Sequence, residues 1–260
     1  MTDVLSDDLD LALQMADVAD RMTMDRFGAL DLIIETKPDL TPVTEADRAV
    51  EQHLRAMITQ AYPMDSVLGE EFGSTGASGG RQWIIDPIDG TKNYVRGVPV
   101  WATLIALVQQ DEVVLGVISA PALARRWWAG IGLGAWGQAL SGSPAPLRAS
   151  GVRSLADASF SFSDAIGWGS SAPGLADLQS LTWRQRGYGD FWSHMLVAEG
   201  AVDVAAEPDL GPWDIAAIVP IVREAGGQIT AFDGREAMVG GSAVSTNRHL
   251  HDEVLGLLRP

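Results

Sequence analysis

The 260-residue sequence contains no cysteine. This absence excludes disulfide bonds, thiolate metal ligands and cysteine nucleophiles, so any bound metal needs oxygen or imidazole ligands. Nor does any uninterrupted apolar run reach about 18 residues, the length that a membrane-spanning helix requires. The first residues are acidic, so we expect no signal peptide. We therefore predict a soluble cytoplasmic protein that does not contact a membrane.

Basic residues are scarce in this chain. It has 18 Lys and Arg residues against 34 Asp and Glu residues, which gives a formal net charge of −16. A strongly negative protein repels nucleic acid and anionic membranes, so neither is an expected partner. If the substrate is an anion, a cation must reverse the local electric field. The hydrophobic content of 47% is sufficient for a folded core.

The first half combines helices with strands. Apolar spacing and turn residues predict helices over 7–27 and 44–61, with Ser6 capping the first helix and Gly28 ending it. Residues 36–43 and 73–80 are predicted to be loops. The predicted strands of this half are 66–68, 83–85, 100–108, 113–119 and 125–131.

The second half alternates strands with helices, which predicts an α/β unit with a partly parallel sheet. We place the boundary in the Gly/Ser/Pro segment 141–146, which divides the chain into halves 1–142 and 143–260. His249 and His251, in the last helix, are expected at the surface. The predicted strands are 158–162, 201–205 and 228–231, and the predicted helices are 175–183, 191–199, 215–225 and 248–258.

The stretch from Trp83 to Thr91 reads Trp-Ile-Ile-Asp-Pro-Ile-Asp-Gly-Thr and places two carboxylates at the end of an apolar strand. Asp86 and Asp89 would repel each other unless a proton or a cation neutralises them. Gly90 and Thr91 would begin a helix, whose free N–H groups suit a phosphate. An isolated Asp-x-x-Asp pattern also fits an ordinary turn, but the whole stretch favours a metal and phosphate site.

Four further acids are compatible with ordinary structural roles when each is considered alone. Glu70 and Glu71 follow a short strand and could be solvated. Asp47 lies in Thr44-Glu-Ala-Asp47, which is also a helix capping box. Asp214 lies in the first turn of a helix, where the helix dipole stabilises a negative charge.

As a set, these motifs resemble the inositol-monophosphatase-like family of metal-dependent phosphatases. The resemblance runs from about Lys37 to Gly227 and includes Glu70-Glu71, the segment 86–91 and Trp213-Asp214 followed by Glu224-Ala-Gly-Gly227. It implies a layered α-β-α-β-α sandwich with the metals between its halves, and it implies a homodimer. It also implies two or three Mg²⁺ ions per site.

The resemblance assigns a role to each acid. Glu70, Asp86 and the backbone carbonyl of Ile88 would bind a first Mg²⁺. A second Mg²⁺ would be bound by Asp86, Asp89 and Asp214.

The resemblance also assigns the phosphate and water contacts. Gly90 and Thr91 N–H groups would hold phosphate oxygens. Asp47 would lie beside a weaker third metal and pair with Thr91 to orient the attacking water, so Asp47, Glu70 and Thr91 are the candidate catalytic residues. Lys37 matches a lysine of a mobile loop near the site.

The substrate is expected to be a small phosphate ester, and three residues of the second half bear on which one. Glu207 matches the family position that contacts the leaving-group alcohol. Asp190 and Glu207 could pair with an ammonium group, and Trp192 could stack on a flat cation, although core packing would explain Trp192 equally well.

These features fit histidinol phosphate, and the run that begins at Gly90 resembles the histidinol-phosphatase branch of the family. We therefore expect a histidinol-phosphate phosphatase of histidine biosynthesis. The alternatives are an inositol monophosphatase, another phosphatase of small phosphate esters, and a catalytically silent metal-binding relative.

Overall fold

The computed structural model describes residues 2–38, 40–76, 80–139 and 142–259, with side chains from residue 5 onward. Outside this part of the chain lie residue 39 of the predicted loop 36–43, residues 77–79 of the predicted loop 73–80 and residue 141 of the predicted boundary. The helices of the described residues are α1 (Thr2–Arg26), α2 (Glu45–Ala61), α3 (Thr91–Val95), α4 (Ala172–Leu181), α5 (Asp190–Ala198), α6 (Pro212–Ile215), α7 (Ile218–Glu224), α8 (Ala237–Gly240) and α9 (His251–Leu258).

The strands form a small hairpin and two larger sheets. Strands β1 and β2 make the hairpin, and the other sheets have the orders β10-β9-β8-β7-β6-β5-β3-β4 and β12-β11-β13-β15-β14. The strands of the described residues are β1 (Ile34–Thr36), β2 (Pro42–Thr44), β3 (Ser66–Gly69), β4 (Gly73–Thr75), β5 (Arg81–Asp89), β6 (Ala102–Gln109), β7 (Glu112–Ala120), β8 (Arg125–Gly130), β9 (Gly134–Ala139), β10 (Ala145–Pro146), β11 (Ser159–Ser161), β12 (Arg184–Arg186), β13 (Val204–Pro208), β14 (Gly227–Thr230) and β15 (Ser242–Asn247).

The large sheet is apolar on both faces because helices cover both of them. In β5, Ile85 packs with Leu54 of α2 on one side, whereas its neighbour Ile84 packs with Ile218 of α7 on the other. Successive residues of a strand point to opposite faces, so each apolar residue reaches a different core. A fully buried side chain of this size stabilises the fold by about 1.5–3 kcal/mol.

The small sheet is also covered on both faces. Helices α5 and α7 separate it from the large sheet, and α4 and α9 pack on its outer face, where Leu178 and Val254 meet Phe160. The layers therefore follow the order helix, sheet, helix, sheet, helix, as predicted. The small sheet is mixed, since β11 is parallel to β12 and β13 whereas β15 is antiparallel to β13 and β14. This confirms the partly parallel sheet.

The predicted helices and strands are largely present, with shifted ends. The first helix begins at Thr2, so Ser6 lies inside it and is not its N-cap. The helix extends further because Leu5, one turn before Leu9, also packs against the apolar core. Thr44 caps α2 in a complete capping box with Asp47, as predicted. The predicted loop 36–43 contains the end of β1 and the start of β2, and Gly73 begins β4.

The predicted helix 215–225 is divided into α6 and α7. Pro220 lacks an N–H and its ring disfavours a helical carbonyl four residues earlier, at Ala216, where the two helices separate. The adjoining carbonyl of Ala217 lies against Gly116 of β7, in space that a side chain there would need. Asp214 of α6, just before this break, lies beside Asp86 and Asp89 of β5.

Two further points concern the histidines and the boundary between halves. The prediction that His251 lies at the surface is wrong, since its side chain is buried. Burial is tolerated because each ring nitrogen forms a hydrogen bond of 3.0 Å, one with the Thr230 hydroxyl and one with the Thr246 hydroxyl. His249 is exposed and precedes α9.

Strand β10 belongs to the large sheet, so that sheet extends to Pro146. The division of the chain at 142/143 stays a prediction. Within the described ranges, no helix combines the length and apolar character that crossing a bilayer requires.

Candidate metal and phosphate site

A bulge at the end of β5 places the two aspartates of the central motif. Asp86 pairs with Leu104 and Asp89 pairs with Ala102, so β5 has one more residue than β6 between these pairs. The strand therefore continues four residues beyond its predicted end. Such a bulge bends a strand and changes the direction of its side chains. The Asp86 carboxylate accepts a hydrogen bond from the Ile88 N–H at 3.0 Å, which fixes the bulge from inside.

Three aspartates converge at this point. Single carboxylate oxygens of Asp86, Asp89 and Asp214 all lie within 4.8 Å of one another. Asp214 comes from α6, where its carboxylate accepts a hydrogen bond from the Gly211 N–H at 2.6 Å. Among the described residues, no Lys, Arg or His forms an ion pair with these three aspartates. The sequence prediction that they converge agrees with this geometry.

The electrostatics of the three aspartates oppose ionisation. Burial, followed by the charge of Glu70, raises the pKa of Asp86 well above its ordinary value. Burial and the charge of Asp190 do the same to the pKa of Asp89. Burial raises the pKa of Asp214 to about 7. Since like charges at this distance repel, a bound cation is the partner that allows all three to be ionised at neutral pH.

Glu70 adjoins this group but pairs with Lys37. It follows β3, and its charge contributes to the raised pKa values of Asp86 and Asp214. The Lys37 ammonium lies 2.7 Å from a Glu70 oxygen and 2.6 Å from a Glu71 oxygen. Lys37 is therefore at the site, as the resemblance implied, and contacts a predicted metal ligand directly.

Asp47, Thr91 and the Ile88 carbonyl form a connected group beside the aspartates. The Thr91 hydroxyl donates to the Ile88 carbonyl at 2.9 Å and lies 3.4 Å from an Asp47 oxygen. The other Asp47 oxygen accepts from the N–H and the hydroxyl of Thr44 at 2.8 and 2.6 Å. Burial raises the pKa of Asp47 to about 6. The predicted pairing of Asp47 with Thr91 therefore corresponds to a long hydrogen bond.

Gly90 turns the chain from β5 into α3. Its φ of 82° lies in the left-handed region, which favours glycine. A Cβ at this position would lie 2.9 Å from the Val100 carbonyl, so a side chain would also collide with backbone. Gly90 and Thr91 thus stand at the start of a short helix that extends directly from the aspartate cluster.

The start of α5 meets the same cluster from the second half. The Phe191 N–H donates to Asp89 at 2.9 Å, and the Asn93 side-chain amide donates to Asp190 at 3.0 Å. Asp190 has a φ of 49°, a conformation that is strained for most residues. Burial raises the pKa of Asp190 to about 6, although the charge of Lys92 opposes this shift.

Ser163 connects the two candidate leaving-group acids. Its hydroxyl donates to Glu207 at 2.7 Å and accepts from the Asp190 N–H at 2.9 Å. Burial raises the pKa of Glu207 to about 8, and the hydrogen bond from Ser163 partly offsets this rise. Ser163 therefore links the Glu207 carboxylate to the backbone of Asp190, and the pairing of the two acids with a ligand stays a prediction.

Trp192 has a less polar environment. Its ring lies 5.3 Å from the ring of Tyr188, and it packs against two apolar clusters. Its indole N–H is buried and has no hydrogen-bond partner among the described residues. Both of its suggested roles, substrate stacking and core packing, stay predictions.

The sequence reasoning missed Asn93 and Ser163. Asn93 lies 97 positions before its partner Asp190, and Ser163 lies 44 positions before Glu207. No local pattern connects residues so far apart. The one usable indication is that Asn93 falls in the first turn after Gly90, where a polar side chain would lie beside the proposed phosphate contacts.

The donor set fits a hard divalent cation. All candidate side-chain ligands are carboxylates, and the Ile88 carbonyl supplies a further oxygen. Oxygen ligands of this kind suit Mg²⁺, which commonly takes one or two carboxylates and keeps some of its water. The raised pKa values give a second reason, because the ionised cluster needs positive charge nearby.

Comparison with known proteins agrees with the fold and with the class of enzyme. The layered sandwich is the fold of a solved IMPase, and its three converging aspartates suit a metal-dependent phosphatase. The model of the inositol monophosphatase family matches residues 5–259, and the chain belongs to that family.

Two relatives and one solved structure illustrate this membership. The chain is 58% identical over 253 residues to the histidinol-phosphatase of Mycobacterium tuberculosis, with 96% of each chain covered. It is 56% identical over 259 residues to the histidinol-phosphatase of Streptomyces coelicolor, with 97% of each covered. The IMPase of Thermotoga maritima superposes with a TM-score of 0.86 at 32% identity, covering 97% of this chain and 96% of that one.

Proposed function

We propose that this protein is a Mg²⁺-dependent phosphomonoesterase that hydrolyses L-histidinol phosphate to L-histidinol and phosphate. The convergence of Asp86, Asp89 and Asp214 carries the phosphatase chemistry. Two relatives at 58% and 56% identity, both named histidinol-phosphatase, support the choice of substrate. A role in histidine biosynthesis follows from that substrate.

Glu70, Asp86 and the Ile88 carbonyl would hold one Mg²⁺, and Asp86, Asp89 and Asp214 would hold another. Bound Mg²⁺ supplies positive charge that neutralises the phosphate and stabilises charge developing on its oxygens. The protein contributes the fixed positions of these ligands, through the β5 bulge and the Gly211–Asp214 hydrogen bond. We place Asp47 beside a weaker third ion.

Phosphate and water are handled by residues next to the ligands. The N–H groups of Gly90 and Thr91 would hold phosphate oxygens at the start of α3. The Thr91 hydroxyl, which lies between the Ile88 carbonyl and Asp47, would orient the water that attacks phosphorus. Thr44 holds the Asp47 carboxylate through the capping box of α2, and Asp47 in turn would help Thr91 to orient the water.

The leaving group would be recognised by residues of the second half. Glu207 and Asp190 would meet the ammonium group of histidinol, and Trp192 would lie against its imidazole. Both acids have raised pKa values in the free protein, so a cationic ligand would favour their ionised forms. A neutral polyol offers no such compensation.

Phosphate release from L-histidinol phosphate and from inositol 1-phosphate, measured in parallel with and without Mg²⁺, tests this proposal. We expect Mg²⁺-dependent release with a kcat/KM at least about tenfold higher for histidinol phosphate. Preference for the inositol ester would overturn the substrate assignment but keep the metal site. Absence of Mg²⁺-dependent release from either ester would favour a silent metal-binding relative.

The homodimeric state and the cytoplasmic location expected from the sequence stay predictions. Sedimentation equilibrium at micromolar concentration would determine the oligomeric state directly. Fractionation of the source cells would determine the location.

A further inference from the structure

The turn that carries Glu70 connects two short strands. Gly69 of β3 pairs with Gly73 of β4, and Glu70, Glu71 and Phe72 form the turn between them. The backbone N–H of Glu70 donates a hydrogen bond to the Ile85 carbonyl of β5 at 3.2 Å. Strand β3 is held along its length by β5, whereas β4 lies at the edge of the sheet and, among the described strands, pairs only with β3, so the far side of the turn has less support from the sheet.

A buried carboxylate from another element binds this turn. Glu51 of α2 has a side chain with 0% exposure, and its two oxygens accept from the N–H groups of Glu71 at 2.8 Å and Phe72 at 3.2 Å. Hydrogen bonds from N–H groups to a carboxylate are stronger than those to neutral acceptors. The residues that follow Glu70 are therefore fixed by α2.

Arg55 completes the contact. It lies one turn after Glu51 on α2 and donates to it at 2.7 Å. The same guanidinium donates to the Gly73 carbonyl and, at 2.7 Å, to the Thr75 hydroxyl. Glu51 thus holds the turn, whereas Arg55 balances the buried charge and holds β4.

Gly69 provides the space for this carboxylate. A Cβ built on Gly69 would overlap the Glu51 carboxylate, closer than real Cβ atoms approach any heavy atom. Gly69 has no left-handed backbone conformation that would otherwise call for glycine. The close approach of Glu51 is therefore the physical reason for glycine immediately before Glu70.

Helix α2 also positions Asp47, one turn before Glu51. Residues four apart on a helix lie on the same face. One rigid helix therefore supports two parts of the candidate site, Asp47 through its own side chain and Glu70 through Glu51. Both side chains are fully buried on this face.

We propose that Glu51 is a positioning residue for the metal centre, which holds the turn of Glu70 in the orientation required for metal binding. This inference rests on the proposed function, because it assigns Glu70 to a metal. Loss of groups that orient metal ligands typically reduces metal affinity or activity 10–100-fold. Glu51 does not itself contact the metal or the substrate.

The test is Glu51→Gln, in which one carboxylate oxygen becomes an NH₂ group that faces donors. Mn²⁺ binding to the metal-free protein, followed by the electron paramagnetic resonance signal of free Mn²⁺, requires no substrate. We expect the Mn²⁺ dissociation constant to rise about tenfold or more. The Mg²⁺ concentration for half-maximal phosphate release should rise in parallel, while kcat at saturating Mg²⁺ falls less than about threefold.

Thr75→Val is the matched control, because it removes one Arg55 contact to the same hairpin and leaves the Glu70 turn untouched. We expect its Mn²⁺ affinity to stay within about twofold of wild type. If Glu51→Gln folds but binds Mn²⁺ as wild type does, or if Thr75→Val loses affinity equally, Glu51 is a purely structural tether and the inference is wrong.

Gly69→Ala provides a second test that retains the carboxylate and applies if Glu51→Gln does not fold. Displacement of Glu51 by the new methyl group should weaken Mn²⁺ binding by a similar factor, and unchanged binding would refute the inference. Wild-type protein that binds no Mn²⁺ would overturn both the proposed metal centre and this role. Mn²⁺ binding without histidinol phosphate hydrolysis would refute the substrate alone.

Discussion

Two groups of acidic side chains meet at the end of β5, and they differ in what separates them. In the first group, Asp86, Asp89 and Asp214 face one another directly. In the second group, the neutral hydroxyl of Ser163 donates to the Glu207 carboxylate and accepts from the backbone N–H of Asp190. The carboxylates of the first group need a cation between them to be ionised together. In the second group, the carboxyl groups can remain protonated until a ligand binds. From this difference we expect the first group to bind a metal ion and the second group to bind the substrate.

The largest expected effect is that of Asp86→Asn in the first group. Asp86 is the ligand proposed for both Mg²⁺ ions, so its loss should reduce kcat at least about 10³-fold, equivalent to about 4 kcal/mol. The fold should persist, because the substitution is isosteric and removes a charge from a repulsive cluster. Phosphate release and thermal unfolding of the metal-free protein measure the two effects.

Asp177→Asn is the control for this experiment, since Asp177 is exposed on α4. It should keep wild-type activity. An Asp86→Asn enzyme that retains turnover would contradict the metal assignment, and the difference between the two acidic groups would then lose its functional meaning.

Asp86 and Asp89 could be predicted from the sequence because they act through local structure, whereas Asp214 was assigned to the site through the family resemblance. The strand, the turn and the helix start around Asp86 are contiguous, and the Thr44–Asp47 capping box spans four residues. Asp214 was located through the motif that precedes α7, although the division of that helix at Ala216 was not foreseen. Pro220 was the available indication, since proline disfavours the helical carbonyl four residues before it.

The second group and the supporting contacts were less predictable because they depend on long-range packing. Ser163, Asn93 and Glu51 have no motif, and each contacts a partner on another element. A buried glutamate in an amphipathic helix resembles any polar residue at the edge of the apolar face. Only the fold shows that its carboxylate meets a turn 20 residues later.

The second largest expected effect concerns Glu207 of the second group and the pH dependence of the protein's stability. Burial raises its pKa from 4.5 to about 8, so the folded protein retains a proton that the unfolded chain has lost. The contribution of Glu207 to the free energy of unfolding is therefore fully present below pH 4.5. It is lost as the pH rises from 4.5 to about 8. We expect Glu207→Gln to gain unfolding free energy relative to wild type over this window, on the order of a few kcal/mol.

Urea unfolding of both metal-free proteins at pH 5 and pH 8.5 measures this change. Glu236→Gln is the control, because Glu236 is exposed and pairs with Arg223 at the surface. The relative stability of that variant should change little between the two pH values. If the Glu207→Gln difference is the same at both, Glu207 is ionised in the folded protein, and the second group resembles the first more than its geometry indicates.

The smallest expected effect is that of Trp192→Phe, which separates the two roles left open for this residue. Trp192 packs against Tyr188 and two apolar clusters, and phenylalanine would keep an aromatic face there. The loss of the buried, unpartnered indole N–H should cost little stability. If Trp192 also contacts the histidinol cation, the weaker cation–π interaction of phenylalanine should raise KM for histidinol phosphate about threefold.

We expect this rise for histidinol phosphate and no change beyond about 1.5-fold for inositol 1-phosphate, which has no cationic group. The two KM values, measured at saturating Mg²⁺, therefore distinguish the roles without reference to stability. Equal changes for both esters would assign Trp192 to packing of α5 alone. Recognition of the leaving group would then depend on Asp190 and Glu207, and the second group would discriminate by charge and not by shape.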